Sequence, residues 1–454
     1  MKKKSLLGLL ALAAASASMG DVTLPSTSTI ADIQAAIDSA QAGDVITLAD
    51  GTYAFDTPLY VTNAVTLTGS GRDNCILLGN DSTPFSTATA LILNHADARV
   101  EKLTVSNITS TAWYNNYGVG VQILAGRLAK ARVTGCKTTG GNRAGGVSIE
   151  GSSKNVAFMS DCMIDHNTAK AANDVGGVLF QKNGGTMVNC LVWANEGNAA
   201  GGVGVMNPSA WAPIKIVNCT IAGNKATTRA GGVNLAVNAY ASVNDGPWIV
   251  NSIVAGNEAP EGADFVFSSD KARDLTGYNC LCGSMVYGEN YQNRDPGFVS
   301  VDTGDFHLAA NSAARNKGDK AKAESVLGYS LDGTTDFYGL DRVLEDVIEI
   351  GCAEFEPAPD ELICSIEMDT DVAFAGEAMS LSAFTSGFGE DVEDVVCAWT
   401  IQREGDDESV TKSGKVITFS SDLQGTYTVN LTVSSVQLGK SATAETAVRW
   451  RTAA

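Results

Sequence analysis

The stretch NCLVWANEGNAAGGV, at positions 189–203, contains the two recurrences that determine the fold of this chain. In the first recurrence a cysteine follows an asparagine, and another asparagine comes five residues after the cysteine. Equivalent positions can be aligned along the chain with 26 to 33 residues between neighbours, at 75, 108, 136, 162, 190, 219, 252 and 280. A repeat of this length predicts a solenoid of stacked coils that share one core.

The cysteine and the later asparagine are predicted to form two inward ladders. In Cys190-Leu191-Val192 the alternation of a strand places the cysteine and the valine on one face, and neighbouring coils lie about 4.8 Å apart. An asparagine at the corner can bond to its own turn and to the amides above and below. Disulfides between rungs remain an alternative. The predicted ladder residues are Cys75, Cys136, Cys162, Cys190, Cys219, Asn80, Asn167, Asn195, Asn224 and Asn257.

The second recurrence is a Gly-Gly-apolar triplet that opens a new alternating strand. Paired glycines permit a sharp bend and a close approach of stacked backbones. No phosphate-binding pattern follows them, so they do not indicate a nucleotide site. The triplets are Gly145-Gly146-Val147, Gly176-Gly177-Val178, Gly201-Gly202-Val203 and Gly231-Gly232-Val233.

Composition and the N-terminus predict the compartment and exclude one class of partner. The 454 residues carry a formal charge of −20, so nucleic acid is not an expected partner. Residues 1–20 combine a basic start, an apolar stretch and a small-residue cleavage site, as a bacterial signal peptide does. No later apolar run is long enough to span a bilayer. We therefore expect a secreted or cell-surface protein without a transmembrane segment in its mature chain.

Three groups of motifs resemble known families. The stretches around 192–203 and 221–233 resemble polymorphic outer-membrane protein repeats. The segment from Ile33 to Tyr53 looks like the cap helix and first strand of pectin-lyase-like right-handed β-helices, and Asp295–Val299 and Ile350–Phe355 are similar to the ending of the choice-of-anchor Q family. The resemblance implies an all-β fold, with a right-handed parallel β-helix over residues 29–356 and a cap helix at its N-terminus.

The composition changes after the β-helix. Residues 357–362 are predicted to be a linker, and residues 363–454 resemble β-sandwiches of the polycystic-kidney-disease (PKD) and immunoglobulin-like type, with Trp399 in the core. Cys364 and Cys397 could form a disulfide or remain free. The spacing of cysteines predicts no metal site. No cofactor is expected, although acidic loops of the sandwich leave calcium open beside the simpler interpretation of solvated turns.

Outward rows of the solenoid offer candidate ligand sites. The residue three after each inward cysteine should face solvent, which places Asp165 and Trp193 in one exposed row beside His166. A second row precedes the glycine pairs, and aromatic faces with planar polar groups suit sugar rings. The alternative is a surface ion pair between Arg143 and Asp174. The candidate ligand-binding residues are Trp113, Tyr117, Arg143, Asp174 and Trp193.

Two functions fit these features. The first is an exported, non-catalytic β-helix with a surface, adhesion or glycan-binding role, whose partner would be a polysaccharide or a cell-surface glycan or protein. The alternative is a polysaccharide-acting enzyme, a lyase or a glycoside hydrolase, with Asp165, His166 and Arg143 as catalytic candidates. The resemblance permits both. The segment around Asp264 is similar to the nucleophile region of pectin methylesterases, but its catalytic partners have no counterpart, and a coil turn explains it more simply.

Overall fold

A computed structural model describes residues 20–452 with interruptions. The residues outside the description are 1–19, 81–88, 113–117, 139, 142–143, 152–156, 209–213, 237–248, 268–276, 284–287, 291, 345, 356–362, 369, 387–394, 437–438 and 453–454. The predicted signal peptide, except Gly20, and the predicted linker at 357–362 therefore lie outside the described residues. The chain divides into two compact units, one ending at Gln292 and one beginning at Asn293.

The first unit begins with the strand Val22–Leu24, and a capped helix, α1, follows at Ile30–Ser39. Thr29 and Asp32 form a capping box, in which each side chain bonds to the other's backbone N–H. Ile30, Ile33 and Ile37 lie on one helical face and are buried in the core of the solenoid. The helix thus covers the apolar interior of the first coils, and it starts three residues before the predicted Ile33.

The solenoid consists of parallel strands stacked coil upon coil. Its described strands lie in four rows, named here the first to fourth sheets. The third sheet contains Gly51–Ala54, Cys75–Leu78, Thr104–Ser106, Arg132–Thr134, Met163–Asp165, Leu191–Trp193, Thr220–Ala222, Ile253–Ala255 and Leu281–Cys282. A fourth, short sheet contains Thr109–Ser110, Lys137–Thr138, Thr168–Ala169, Glu196–Gly197 and Lys225–Ala226. The predicted all-β solenoid is therefore confirmed.

Two further rows of parallel strands, joined through the long strands Leu91–Glu101 and Val121–Ala129, complete each coil. The first sheet adds Leu59–Val61, Val147–Ile149, Val178–Lys182, Val203–Pro208, Val233–Ala236 and Phe265–Phe267. The second sheet adds Val22–Leu24, Val45–Leu48, Thr66–Thr68, Ala157–Ser160, Gly185–Val188, Ile214–Val217, Ile249–Val250, Gly277–Tyr278 and Gly288–Glu289. The glycine pairs precede strands of the first sheet.

The strand register places the predicted ladder cysteines in a single buried column, with Cys136 as the exception. Because Met163 lies beside Leu191 and Leu191 beside Thr220, the preceding Cys162, Cys190 and Cys219 are stacked. Counting back from each paired strand gives the whole column as Cys75, Leu103, Ala131, Cys162, Cys190, Cys219, Ser252 and Cys280. All of these positions are buried. The column is a small-residue core, as in a solenoid whose coils taper little.

Cys136 does not belong to the cysteine column in which the repeat alignment placed it. Val133 is paired with Ile164, so Cys136 lies at the corner beside Asn167. The same register puts Ile108 at the corner, beside Cys136. Asn80 is exposed rather than part of a buried ladder. The alignment failed here because spacing alone cannot distinguish two inward positions only five residues apart.

All ten cysteines are free thiols, so the structure contains no disulfide between rungs or within the second unit. Burial raises the pKa of Cys136 and of Cys280 to about 12. Burial likewise raises the pKa of Cys190 well above its usual range. These three thiols are therefore protonated and unreactive, and they act as small apolar groups.

The residue before seven of the eight buried column positions adopts a left-handed backbone, and Asn74 before Cys75 is the exception. The φ angles are 50° at Asn189, 51° at Asn218, 46° at Asn251 and 53° at Asn279. Asparagine tolerates this conformation better than other side chains that have a Cβ. The Asn-Cys dipeptide of the repeat thus combines a tight turn with an inward small side chain.

The corner asparagines form a continuous chain of hydrogen bonds along the solenoid. The backbone N–H of each corner residue donates to the Oδ1 of the next corner, with distances of 2.9–3.1 Å. Each asparagine Nδ2 also donates to a strand carbonyl of the preceding coil, at 2.9–3.0 Å. The corner chain runs through Cys136, Asn167, Asn195, Asn224, Asn257 and Asp264. It satisfies polar groups that would otherwise be buried without partners.

The second unit begins with two strands, Phe298–Ser300 and Asp305–Leu308, joined by a 3₁₀ turn, Val301–Thr303, and a helix, α2, follows at Lys320–Leu327. Antiparallel sheets then form a sandwich. One sheet contains Ile363–Met368, Ala378–Ser386 and Val416–Ser420. The other contains Val372–Phe374, Lys440–Arg451, Gly425–Ser435, Val396–Arg403 and Ser409–Ser413. Trp399 is in the shared core, as predicted, and its Nε1 donates to the Gly414 carbonyl at 2.8 Å.

The second unit also buries a group of charged residues. Arg342 is fully buried and its Nε lies 3.0 Å from Oε1 of Glu354. Its Nη2 donates to the Glu349 carbonyl at 2.9 Å. Burial raises the pKa of the Glu349 carboxyl from 4.5 to about 7, although Arg342 and Arg315 oppose the shift.

Replacing Asn195 with alanine should destabilise the solenoid strongly. The change removes the Oδ1 that accepts the N–H and Nδ2 of Asn167 and the donor to the Ile164 carbonyl. Several buried groups lose their partners, so we expect a loss of roughly 3 kcal/mol or more. The measurement is urea unfolding followed by circular dichroism.

Cys219→Ser is the matched control in the neighbouring column, where Ser252 already has a hydroxyl bonded to the Val250 carbonyl at 2.9 Å. It should cost less than about 1 kcal/mol, because the hydroxyl can replace the thiol at the Val217 carbonyl. Equal losses for the two variants would contradict a special role for the amide chain.

The raised pKa of Glu349 predicts that the stability of the second unit depends on pH. Between pH 4.5 and about 7 the folded protein retains a proton that the unfolded chain releases, so stability falls as pH rises through this window. Glu349→Gln should remove a contribution on the order of 3 kcal/mol to this fall. The test compares unfolding midpoints of the protein and the variant at pH 4.5 and 8, and an unchanged difference between the two pH values would refute it.

Candidate functional site

The candidate site lies on the outer face of the third sheet and is built around Asp165. This residue ends the strand Met163–Asp165 and points outward, but its side chain is 0% exposed. Arg132 donates two hydrogen bonds to the carboxylate, at 2.8 and 2.7 Å, and Thr134 Oγ1 donates a third at 2.9 Å. The expectation of an exposed Asp165 is therefore wrong, because side chains of two coils cover it.

His166 follows directly and continues the same cluster. Its Nδ1 lies 2.7 Å from Oδ2 of Asp165, and its side chain is 53% exposed. The ring contacts Trp193 of the next coil edge-on, with centroids 4.7 Å apart. Structure thus brings together three residues that sequence reasoning had grouped, with an imidazole and an indole at the surface and a carboxylate behind them.

The backbone of His166 is left-handed, with a φ of 55°. The equivalent corner positions of other coils share this conformation, including the non-glycine residues Asn107, with a φ of 54°, and Ala194, with a φ of 52°. A side chain in this conformation costs about 1 kcal/mol. The left-handed backbone is therefore a property of this corner of the repeat and does not single out His166.

Sequence reasoning missed Arg132 and Thr134. Both point outward from the strand one coil earlier, where Arg132 is paired with Met163 and Thr134 with Asp165. The sequence contained the necessary signal, since a correct alignment of the repeat gives the residue that lies opposite Asp165 in the neighbouring coil. It was lost because the repeat alignment of this coil was anchored on Cys136. The hydrogen bonds to Asp165 also raise the pKa of the Arg132 guanidinium.

These residues form a compact arrangement with defined chemistry, named here the Asp165 cluster: Arg132, Thr134, Asp165, His166 and Trp193. The carboxylate occupies Nδ1 of the imidazole, which leaves Nε2 as the nitrogen available to a ligand. Two nitrogens of the guanidinium bind the carboxylate, and the side chain remains 33% exposed. The cluster therefore offers hydrogen-bonding groups beside an aromatic ring.

The structure describes Asp174 of the second predicted row. Asp174 is buried, which contradicts its expected exposure; it lies where the chain closes over a small apolar cluster that includes Val175 and Ala199. The Asp174 carbonyl accepts the N–H of Asn198 and of Ala199, at 3.0 and 2.8 Å. The remaining candidates of this row lie outside the described residues. They are Trp113, Tyr117 and Arg143.

Asp264 terminates the corner chain. Its Oδ1 accepts the backbone N–H of Asn257 at 3.1 Å and the Nδ2 of the same residue at 3.0 Å. It therefore takes the place of the next asparagine. This is the coil-turn interpretation of the segment that resembles an esterase nucleophile.

Another carboxylate, Glu150, is buried beyond the end of a strand of the first sheet. Gln122 Nε2 and Ser148 Oγ donate to its Oε1 at 2.6 and 3.1 Å, and Lys182 forms an ion pair with Oε2. Both oxygens are thus occupied and the charge is balanced. This group consolidates neighbouring coils and presents no free acid or base.

Within the part of the chain that the structure describes, no group of three or more His, Cys, Asp or Glu side chains could hold a metal ion. Neither described helix is long and apolar enough to cross a membrane.

Comparisons with known proteins support the fold. The family model of the right handed beta helix region matches residues 65–280, so the predicted right-handed β-helix is confirmed over this range. No match is found among curated proteins.

Two solved structures from Azotobacter vinelandii are similar. The A-module of mannuronan C-5 epimerase AlgE4 has 14% sequence identity and a TM-score of 0.27, and the match covers 62% of this chain and 96% of the module. The A-module of mannuronan C-5 epimerase AlgE6 has 16% identity and a TM-score of 0.25, and the match covers 60% of this chain and 94% of the module. At these values the likeness carries no statement about function.

Arg132→Met should destabilise the protein because the Asp165 carboxylate would stay buried without its main partner. Partial exposure of the guanidinium reduces the effect, and we expect a loss of about 2 kcal/mol or more. Adding Asp165→Leu to the same chain should restore most of this stability, since the unpaired charge is then removed. Unfolding midpoints in urea provide the double-mutant cycle.

Lys225→Met serves as the control for a surface ion pair, because Lys225 and Glu258 lie 2.9 Å apart with both side chains mostly exposed. Its cost should be near zero. If the double variant were no more stable than Arg132→Met alone, the proposed coupling would be absent.

Proposed function

We propose that this protein is an exported, carbohydrate-binding β-helix protein that holds a glycan at the Asp165 cluster. The observation that carries the proposal is the contact of Trp193 with His166, beside an arginine–carboxylate pair, on the outside of a rigid sheet. An aromatic ring can pack against the apolar face of a sugar, while planar polar groups bond to its hydroxyls. Stacked strands hold these groups in fixed positions.

Export and a surface or adhesion role belong to the same proposal. The signal-peptide pattern of residues 1–20 and the acidic composition support them. The polymorphic outer-membrane-type repeats, the choice-of-anchor Q-like ending and the PKD-like sandwich are interpretations that favour a cell-surface setting. A polysaccharide or a cell-surface glycan is the expected partner.

The alternative function is that of a polysaccharide-acting enzyme, and one observation favours it. The 2.7 Å contact of Asp165 with Nδ1 of His166 would orient the ring, as a general base requires. Arg132 could then neutralise developing negative charge on a sugar. Arg143, the third catalytic candidate, has no described position, so the enzyme would rest on Asp165 and His166.

The binding proposal is tested by affinity electrophoresis of the mature protein in gels that contain plant, algal or host polysaccharides. We expect retardation in at least one polysaccharide, and Trp193→Ala should weaken it about tenfold or more because the stacking surface is lost. Trp193→Phe should retain most of the binding. Tyr60→Ala is the control, since Tyr60 is an exposed aromatic side chain elsewhere on the solenoid.

Two outcomes decide between the functions. New reducing ends or unsaturated products that disappear in His166→Gln, while retardation persists, would favour the enzyme. Retardation that is identical in Trp193→Ala, with an unchanged unfolding midpoint, would rule out this cluster as the glycan site.

A further inference from the structure

A cleft with a volume of about 770 Å³ opens in the second unit. The Arg315 side chain and the rings of Phe355 and Phe384 form its inner part. Val347 and Val416 line it as well and are 39% and 61% exposed. The cleft therefore combines a cation with apolar surface that faces solvent.

Arg315 is held rigidly within this cleft. Its guanidinium carbon lies 4.1 Å from the centroid of the Phe355 ring and 3.9 Å from that of Phe384, so the group is placed between two aromatic faces. Nη1 donates to the Ala310 carbonyl and, at 3.3 Å, to Ser365 Oγ. Nε is buried without a hydrogen-bond partner, and Nη2 forms no hydrogen bond with the described residues.

No carboxylate of the described residues forms a direct ion pair with Arg315, although Glu349 and Glu367 act on its charge from farther away. The residue is 5% exposed, its Nε has no hydrogen bond, and no acidic side chain among the described residues lies within 4 Å of its nitrogens. Arg342 in the same unit is equally buried but has Glu354 at 3.0 Å. A buried charge without a partner is costly, and folded proteins usually pair it.

We propose that this cleft binds a small molecule with a carboxylate attached to an apolar body. The Nε–Nη2 edge of an arginine matches the two oxygens of a carboxylate, which gives a charge-assisted, two-point contact. The phenyl rings and the two valines supply the surface against which an apolar body packs. This site is separate from the glycan proposal and does not depend on it.

Glu349 also lines the cleft and sets the favourable pH. Burial raises its pKa to about 7, so at pH 6 it is mostly neutral and repels an incoming carboxylate less than at pH 8. The charged groups around it are Arg315, Arg342, Glu354, Glu367 and Lys415. Binding should therefore be tighter at pH 6 than at pH 8.

The test is isothermal titration calorimetry on the full chain at pH 6, with phenylacetate as the probe and phenylacetamide as its neutral counterpart. We expect phenylacetate to bind at least about tenfold more tightly, because only the carboxylate forms charge-assisted bonds. Arg315→Met should abolish the difference. Arg294→Met is the matched control, since Arg294 of the same unit is paired with Asp371 at 3.4 Å and does not line this cleft.

Folding of the variants is checked by their unfolding midpoints. Arg315→Met removes an unpaired buried charge and breaks no ion pair, so its midpoint should not fall far. Arg315→Lys retains the charge without the two-point edge and should weaken phenylacetate binding in a chain that folds. Equal binding of phenylacetate and phenylacetamide, no binding of phenylacetate at millimolar concentration, or unchanged binding in folded Arg315→Lys and Arg315→Met would each overturn the proposal.

Discussion

The solenoid depends on the hydrogen bond from the backbone N–H of one corner to the asparagine Oδ1 of the next. A tight corner breaks the regular strand ladder and would bury N–H and C=O groups without partners. The asparagine amide supplies both kinds of partner. Its Oδ1 accepts the corner N–H of the preceding coil, and its Nδ2 donates to a strand carbonyl of that coil. Each corner thereby fixes the position of its neighbour, and the strands between corners are held in register.

This constraint explains why both ends of the corner chain depart from asparagine. Cys136 is the first donor and needs only its backbone N–H, so an apolar side chain is acceptable there. Asp264 is the last acceptor, and a carboxylate oxygen replaces the amide oxygen without needing a further acceptor. The corner chain therefore ends at residues that need no further hydrogen-bond partner, and Asp264 needs no catalytic explanation.

The fold was predictable from sequence because its signals are repeated, whereas the site was predictable only in part because it is not. Period, strand alternation and the glycine pairs identified the solenoid, and the Trp399 core position identified the sandwich. The prediction that Cys136 lies in the cysteine column was wrong, because two inward positions of a coil are only five residues apart. Burial of Asp165 depended on Arg132 in another coil, a contact that no local pattern around Asp165 encodes.

The two sites differ in how they handle a buried charge, and that difference bears on what each can do. In the Asp165 cluster the carboxylate is already neutralised by Arg132, so its energetic role is to orient His166, whose ring contacts the half-buried indole of Trp193. In the second unit Arg315 has aromatic neighbours, and Glu349 and Glu367 act on its charge without a direct ion pair, so a ligand can supply the contacting anion. A paired charge positions other groups, whereas an unpaired one selects the charge of what binds. The first arrangement suits a neutral sugar surface, and the second suits a carboxylate.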